Sequence, residues 1–274
     1  MTPVPVTPLR VALGEYDTGW HDPATSLARA AAVVGAAASA GAHLVVLPEM
    51  CTTGFTMDSN RAEPVDGESV ARLRGIAAEA GVWVLAGVAT RAGEPCNGAD
   101  PCRARNSAIV FDPRGAIAAV YHKRRLFAYA GEHQHYEPGE SHAVIAVEGV
   151  RVSPFICYEL RFPELFRAVA PETDLMLLIA NWPAARRSHW DTLVRARAIE
   201  SQCYVIAVNR TGEGGGLMYD GGSAAYDPWG DLVPPVARAD GIMIVEVDPD
   251  TVARVRAAYP FLADAAPARE LRGR

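Results

Sequence analysis

The stretch "RVSPFICYELRFPELF" runs an apolar, β-favouring segment, Val152 to Ile156, straight into a cysteine. Pro163 then opens "PELFRAVA", a helical pattern; proline suits the first helical position, where its missing N–H has no partner to lose. Cys157 therefore falls in a strand-to-helix turn, near backbone N–H groups that could face an anion. A cysteine there is either a nucleophile or buried packing, and this stretch leaves both open. Two other residues stand in comparable places. "HLVVLPEM" is an apolar strand that stops at Pro48 and delivers Glu49, and "AIAAVYHKR" carries Lys123 at a strand end.

Together the three could run a cysteine hydrolase. The thiolate is the nucleophile, and an unperturbed thiol has a pKa of about 8.5, against about 4.3 for a glutamate that must take its proton. A nearby ammonium and a helix N-terminus lower the first value, and burial raises the second. A lysine held between them has a further use: with the backbone N–H of Tyr158 it can stabilise the oxyanion formed when a carbonyl carbon is attacked. An ion-paired Glu-Lys-Cys site is the expectation, with fast alkylation of Cys157 near neutral pH.

Lysine usage sharpens this. Lysine and arginine total 26, yet Lys123 is the single lysine, in a chain rich in alanine, glycine and proline. Where arginine replaces lysine almost everywhere, the surviving lysine marks a place that needs a compact ammonium rather than a guanidinium. Composition narrows the class further. A net charge of −6 lacks the basic footprint of a nucleic-acid binder. No apolar run approaches the roughly 20 residues of a membrane span, and the N-terminus lacks a signal-peptide pattern. Five irregularly spaced cysteines favour reduced thiols in a cytoplasm.

The elements that must position these residues follow from periodicity and punctuation. Leu9 to Leu13 is a first strand; Asp22 caps and Pro23 opens an alanine-rich helix that closes at Gly41. A second helix spans Glu68 to Ala80 and closes at Gly81. "VWVLAGVAT" and "NSAIVFD" are strands, and the turn "DPRG" (Asp112 to Gly115) leads to the strand of Lys123. The second half repeats the order: a strand ending in Cys157, the Pro163 helix, "DLMLLIANWP", the helix "SHWDTLVRARAIESQ", "YVIAVNR", "GGSAAYD", the turn "DPWG" (Asp227 to Gly230) and "GIMIVEVD". This internal pseudo-repeat predicts an α/β fold of two stacked mixed sheets with helices on both outer faces. No linker divides it, so residues 1–274 are expected to form one domain.

"VVLPEMCTTGF", "YHKRRLF" and "ICYELRFPELFR" resemble the three signature segments of the nitrilase (carbon–nitrogen hydrolase) superfamily, in the right order over nearly the whole chain. The resemblance implies catalytic roles for Glu49, Lys123 and Cys157, and for Glu132 of "GEHQHYEPG" as support to the lysine and substrate. It implies a four-layer α-β-β-α sandwich, a homodimer and no cofactor. "GEHQHY", "ANWPAARRSHWDTLVRARAIESQCYV" and "GGLMYDGGS" resemble the omega-amidase branch. That implies hydrolysis of the terminal amide of 2-oxoglutaramate or 2-oxosuccinamate. Departures from the branch are Glu159 for aspartate, Arg125 for histidine, Cys51 for an aromatic residue, and a Cys96–Cys102 loop that looks inserted.

Other readings stay open on the residues alone. His133 and His135 with Glu132 and Glu137 sketch a metal site, but no further ligand cluster follows, so no metal is expected. A Cys157–histidine dyad could draw on His122 or His189, though it leaves the lone lysine unexplained. Cys51 is a rival nucleophile better suited to packing. "TGEGGGLMYDGG" lacks a phosphate-cradling G-K-[ST] and is expected to be a flexible loop. Arg161, Arg186 and Arg187 are more often solvated, although one could hold a substrate carboxylate, with Arg161 nearest the Cys157 turn; Trp182 could wall the pocket. Related substrates (deaminated glutathione, an N-carbamoyl amine, a nitrile) and a non-catalytic binding protein are the alternatives.

Overall fold

The computed structural model describes residues 7–91 and 104–264; Cys96 and Cys102 lie outside them. In chain order the elements are β1 (Leu9–Leu13), α1 (Pro23–Ser39), β2 (Leu44–Val46), β3 (Glu63–Pro64), α2 (Glu68–Ala80), β4 (Trp83–Arg91), β5 (Arg105–Phe111) and β6 (Ile117–His122). Then come α3 (Glu132–His135), β7 (Ile145–Val147), β8 (Val150–Ile156), α4 (Pro163–Val169), β9 (Leu175–Ala180), α5 (Arg187–Ser201) and β10 (Tyr204–Asn209). The remainder are β11 (Thr211–Gly214), β12 (Leu217–Asp220), β13 (Ala224–Tyr226), β14 (Ala237–Ala239), β15 (Ile242–Val247) and α6 (Pro249–Ala258).

Local chemistry accounts for the helix ends. Asp22 Oδ1 accepts the Thr25 N–H at 3.1 Å ahead of Pro23, and Gly81 closes α2 in the left-handed conformation, φ +67°. One sheet runs β14-β15-β1-β2-β4-β5-β6 with β3 beside β4; the other runs β13-β10-β9-β8-β7. Both are mixed. Period-2 alternation sorts the first sheet's side chains: Leu9, Val11, Leu13, Leu44, Val46 and Leu85 face the core shared with the second sheet. Ala12, Val45, Val84 and Ala86 turn outward onto Val34, Ala37, Leu73 and Ile76 of α1 and α2. Strand β9, buried along its whole length, reads as the continuous apolar run expected of a parallel strand covered on both faces. Helices α4 and α5 pack over the second sheet through Leu165, Phe166, Trp190 and Val194. This is the expected four-layer sandwich.

Two features differ from the sequence-based expectation. "GIMIVEVD", the last strand of the second repeat, lies in the first sheet: as β15 it pairs antiparallel with β1, Leu9 opposite Val247, and so ties the chain's second half to that sheet. Strand pairing is a long-range choice that local pattern leaves open. "TGEGGGLMYDGG" is a hairpin, β11 with β12, whose registered pairs run from Thr211–Asp220 to Gly214–Leu217. Its glycines supply the positive φ of the turn at Gly215 and Gly216.

Candidate active site

The ends of β2, β6 and β8 converge. At the end of β8 the backbone bends sharply: Cys157 adopts φ +47°, a left-handed conformation that costs a non-glycine residue of the order of 1 kcal/mol. Glu159 holds the bend. Its Oε2 accepts the Ile156 N–H at 2.7 Å, and its Oε1 accepts the Tyr121 hydroxyl and the Arg124 N–H, each at 2.7 Å. One buried carboxylate thus ties the residue before the cysteine to the residue after the lysine. Met50, just beyond Glu49, is also left-handed, φ +41°, so the turn after β2 is held in the same sparsely populated region.

Glu49, Lys123 and Glu132 are fully buried. Lys123 Nζ donates to Glu49 Oε1 at 3.0 Å and to Glu132 Oε1 and Oε2 at 3.1 and 3.0 Å. Asn106 Nδ2 bridges the same two carboxylates, at 2.7 Å to Glu49 Oε1 and 2.9 Å to Glu132 Oε1. Asn181, at the end of β9, donates its N–H to Glu49 Oε2 at 2.8 Å and its amide to the Glu49 carbonyl at 2.6 Å. The Phe127 N–H donates to Glu132 Oε2 at 2.5 Å. Charges this deep survive only where such partners replace water.

The electrostatics invert one expectation. Burial works against ionising Glu49, but Lys123, Asn106 and the Asn181 N–H outweigh it and hold its carboxyl below the usual value. Burial also opposes charge on Lys123, yet Glu132 and Glu49 push its pKa up. Cys157 is not lowered: burial, then the Glu49 charge, raise its thiol well above an ordinary one, and the Lys123 charge only partly offsets them. Two carboxylates to one ammonium leave the cluster net negative. Burial and the Glu49 charge thus both favour the protonated thiol, whose hydrogen bond runs to the Asn181 carbonyl at 3.8 Å.

Cys157 opens into a cavity of about 510 Å3. Phe55, Phe127, Tyr158 and Trp182 wall it, and the β11–β12 hairpin contributes Leu217 and Tyr219 to its rim. Arg161 and Arg186 also line it. Arg161 stacks over the Trp182 ring at 4.8 Å, and Trp182 is pinned by its own Nε1 donating to the Arg186 carbonyl at 2.8 Å. Arg187 instead pairs with Asp191 and Asp220, and Arg125 with Glu164, both away from the lining.

The other sequence candidates fall elsewhere. His122 Nδ1 bonds Ser107 Oγ at 2.8 Å and His189 Nδ1 meets Arg161 Nη2 at 3.2 Å; neither histidine reaches the cavity. Cys51 packs in the outer core of the first sheet, its pKa pushed up to about 12 by burial. Among the described residues no group of three or more His, Cys, Asp or Glu is placed to hold a metal ion. None of their helices is long and apolar enough to cross a membrane. Asn106 and Asn181 were missed. Asn106 sits inside the strand "RNSAIVF" with nothing local to single it out, whereas Asn181 ends a strand as Glu49 does and could have been found on that ground.

The carbon–nitrogen hydrolase family model matches residues 10–257, and the chain belongs to that family of enzymes. It is 34% identical over 209 residues to the omega-amidase YafV of Escherichia coli K12, covering 76% of this chain and 77% of that protein. It is 32% identical over 253 residues to the 2-oxoglutaramate amidase of Bacillus subtilis, covering 91% and 95%. The crystal structure of a CN-hydrolase superfamily protein from Xanthomonas campestris, with an arsenic adduct in its active site, superimposes with a TM-score of 0.85 at 34% identity. The match covers 95% of this chain and 98% of that one.

Proposed function

We propose that this chain is an omega-amidase: it hydrolyses the terminal amide of a 2-oxo dicarboxylic acid monoamide, 2-oxoglutaramate or 2-oxosuccinamate, to the acid and ammonia. The observation that carries the chemistry is the buried Lys123 ammonium, 3.0 Å from Glu49 Oε1, whose charge acts on the Cys157 thiol that lines the cavity. The substrate is argued from the likeness to omega-amidase YafV and 2-oxoglutaramate amidase.

Glu49 takes the Cys157 proton as sulfur attacks the amide carbon, so thiolate forms only as the carbon–sulfur bond does. That order fits a thiol whose pKa is raised in the resting site. Lys123 and the Tyr158 N–H hold the oxyanion. Protonated Glu49 returns the proton to the leaving nitrogen, ammonia departs, and an acyl thioester remains. Glu49 then deprotonates a water that attacks the thioester, and the proton goes back to Cys157 sulfur as the acid leaves. Glu132 keeps Lys123 charged and aimed. Tyr158, Arg161 and Trp182 shape the substrate pocket. No step calls on a metal or organic cofactor. The same reading takes residues 1–274 as one domain, acting as a homodimer in the cytoplasm.

The test is ammonia release from 2-oxoglutaramate by wild type and Cys157→Ala. Release by the first and none by the second supports the reading. A silent wild type removes the substrate, and an active variant removes the nucleophile.

A further inference from the structure

Arg161 and Arg186 are the only charged residues lining the cavity among those described. Neither guanidinium has a carboxylate partner there, unlike Arg125 with Glu164 and Arg187 with Asp191 and Asp220. The two are not equivalent. Arg161 lies in the same turn as Cys157, is stacked on Trp182 and has an Nη2 engaged by His189 Nδ1 at 3.2 Å. Arg186 stacks on the Phe127 ring at 5.6 Å, and its backbone is fixed by the Trp182 indole donating to its carbonyl. No hydrogen-bond acceptor among the described residues takes its guanidinium N–H groups. Strand β12 packs beside its turn and brings Tyr219 to the same wall. A guanidinium lying over an aromatic ring with none of its N–H groups taken by a described acceptor, beside a cavity with no anion among its described lining residues, suits a planar carboxylate taken in a two-point grip.

We propose that Arg186 is the specificity-determining residue of this site: it binds the carboxylate at the far end of the substrate while the amide end lies at Cys157. The proposal rests on the omega-amidase reading and adds to it the residue that selects an amide carrying a carboxylate over a neutral one. Phe127 supports the guanidinium, and Arg161 flanks it.

The experiment compares kcat/KM for succinamate, which carries a carboxylate opposite its amide, with that for butanamide, which has the same carbon skeleton and no charge. Wild type should prefer succinamate. Arg186→Gln should shrink that preference roughly 10- to 100-fold, mainly through KM, as expected when one charge-assisted partner is lost. Arg186→Lys should recover part of it, because an ammonium supplies charge without the fork. A merely structural arginine would slow both substrates alike and leave the ratio intact. If Arg186→Gln lowers thermal stability, Arg186→Lys carries the test: its succinamate KM must rise more than its butanamide KM. A ratio unchanged in both variants overturns the assignment, as does a ratio that collapses in Arg161→Gln instead. A wild type that turns over butanamide as well as succinamate overturns the omega-amidase reading itself, whatever the variants do.

Discussion

Strand β2 of the first unit and β9 of the second end at matching places in the fold and deliver different residues. β2 runs into Pro48–Glu49 and β9 into Asn181–Trp182, and the two turns meet where Asn181 donates to Glu49. The neutral turn is held by a side chain: Asn209 Oδ1 accepts the Trp182 N–H at 2.7 Å, and its Nδ2 donates to the Trp182 carbonyl at 2.9 Å. The charged turn is held by backbone bonds to Gly87 together with the Asn181 amide on the Glu49 carbonyl. Strand β4 passes so close at Gly87 that a Cβ there would lie 2.5 Å from Glu49 Cα. A turn that carries a buried carboxylate is locked by close packing, which leaves its carboxylate oxygens for Lys123, Asn106 and Asn181.

The largest effect should come from the cation on the charged side. Lys123→Arg keeps the charge, but a guanidinium does not fit a slot where Nζ already meets two carboxylates, so kcat should fall about 1,000-fold or more. Near-normal turnover in that variant would remove the oxyanion role proposed for Lys123. Next comes Asn106→Ala, which strips a donor from Glu49 and Glu132 together. Urea unfolding should show a loss of about 1–3 kcal/mol, and activity should drop at least about 10-fold. A variant as stable and active as wild type would mean Lys123 alone suffices.

Gly87→Ala and Asn209→Ala test the comparison itself. Each should cost about 1–3 kcal/mol of stability, the first by overpacking and the second by stranding the Trp182 backbone. Only the first displaces Glu49, so it should lower kcat more, by about 10-fold relative to the second. Equal losses would mean that both turns are generic scaffolding.

The smallest effect lies in pH. Because Cys157 is raised above an ordinary thiol, iodoacetamide labelling of the resting enzyme should be slow at pH 7.5 and keep climbing beyond pH 9. A plateau near neutrality would put a thiolate in the resting site. Glu49, whose pKa is depressed on folding, stabilises the fold above the unfolded carboxylate value and loses that contribution as pH falls through its folded one.

Glu49, Lys123 and Cys157 were legible because each ends a strand, and strand ends announce themselves through Pro48, the lone lysine and the Pro163 helix start. The helix caps at Asp22 and Gly81 were legible for the same local reason. What escaped were pairings between distant segments: β15 beside β1, the β11–β12 hairpin, and Asn106 spanning two carboxylates that lie 57 and 26 residues from it in sequence. The thiol's raised pKa escaped too, because its largest cause is burial, followed by the Glu49 charge, and a strand-end pattern shows neither how deep the sulfur lies nor how close that carboxylate comes.

The most direct measurement is acid-quench peptide mapping of wild type caught during turnover of 2-oxoglutaramate. An acyl thioester on the peptide bearing Cys157, absent from Cys157→Ala, is the predicted result. Turnover with no adduct, or an adduct on Cys51 or Cys203, would contradict a nucleophile at the end of β8.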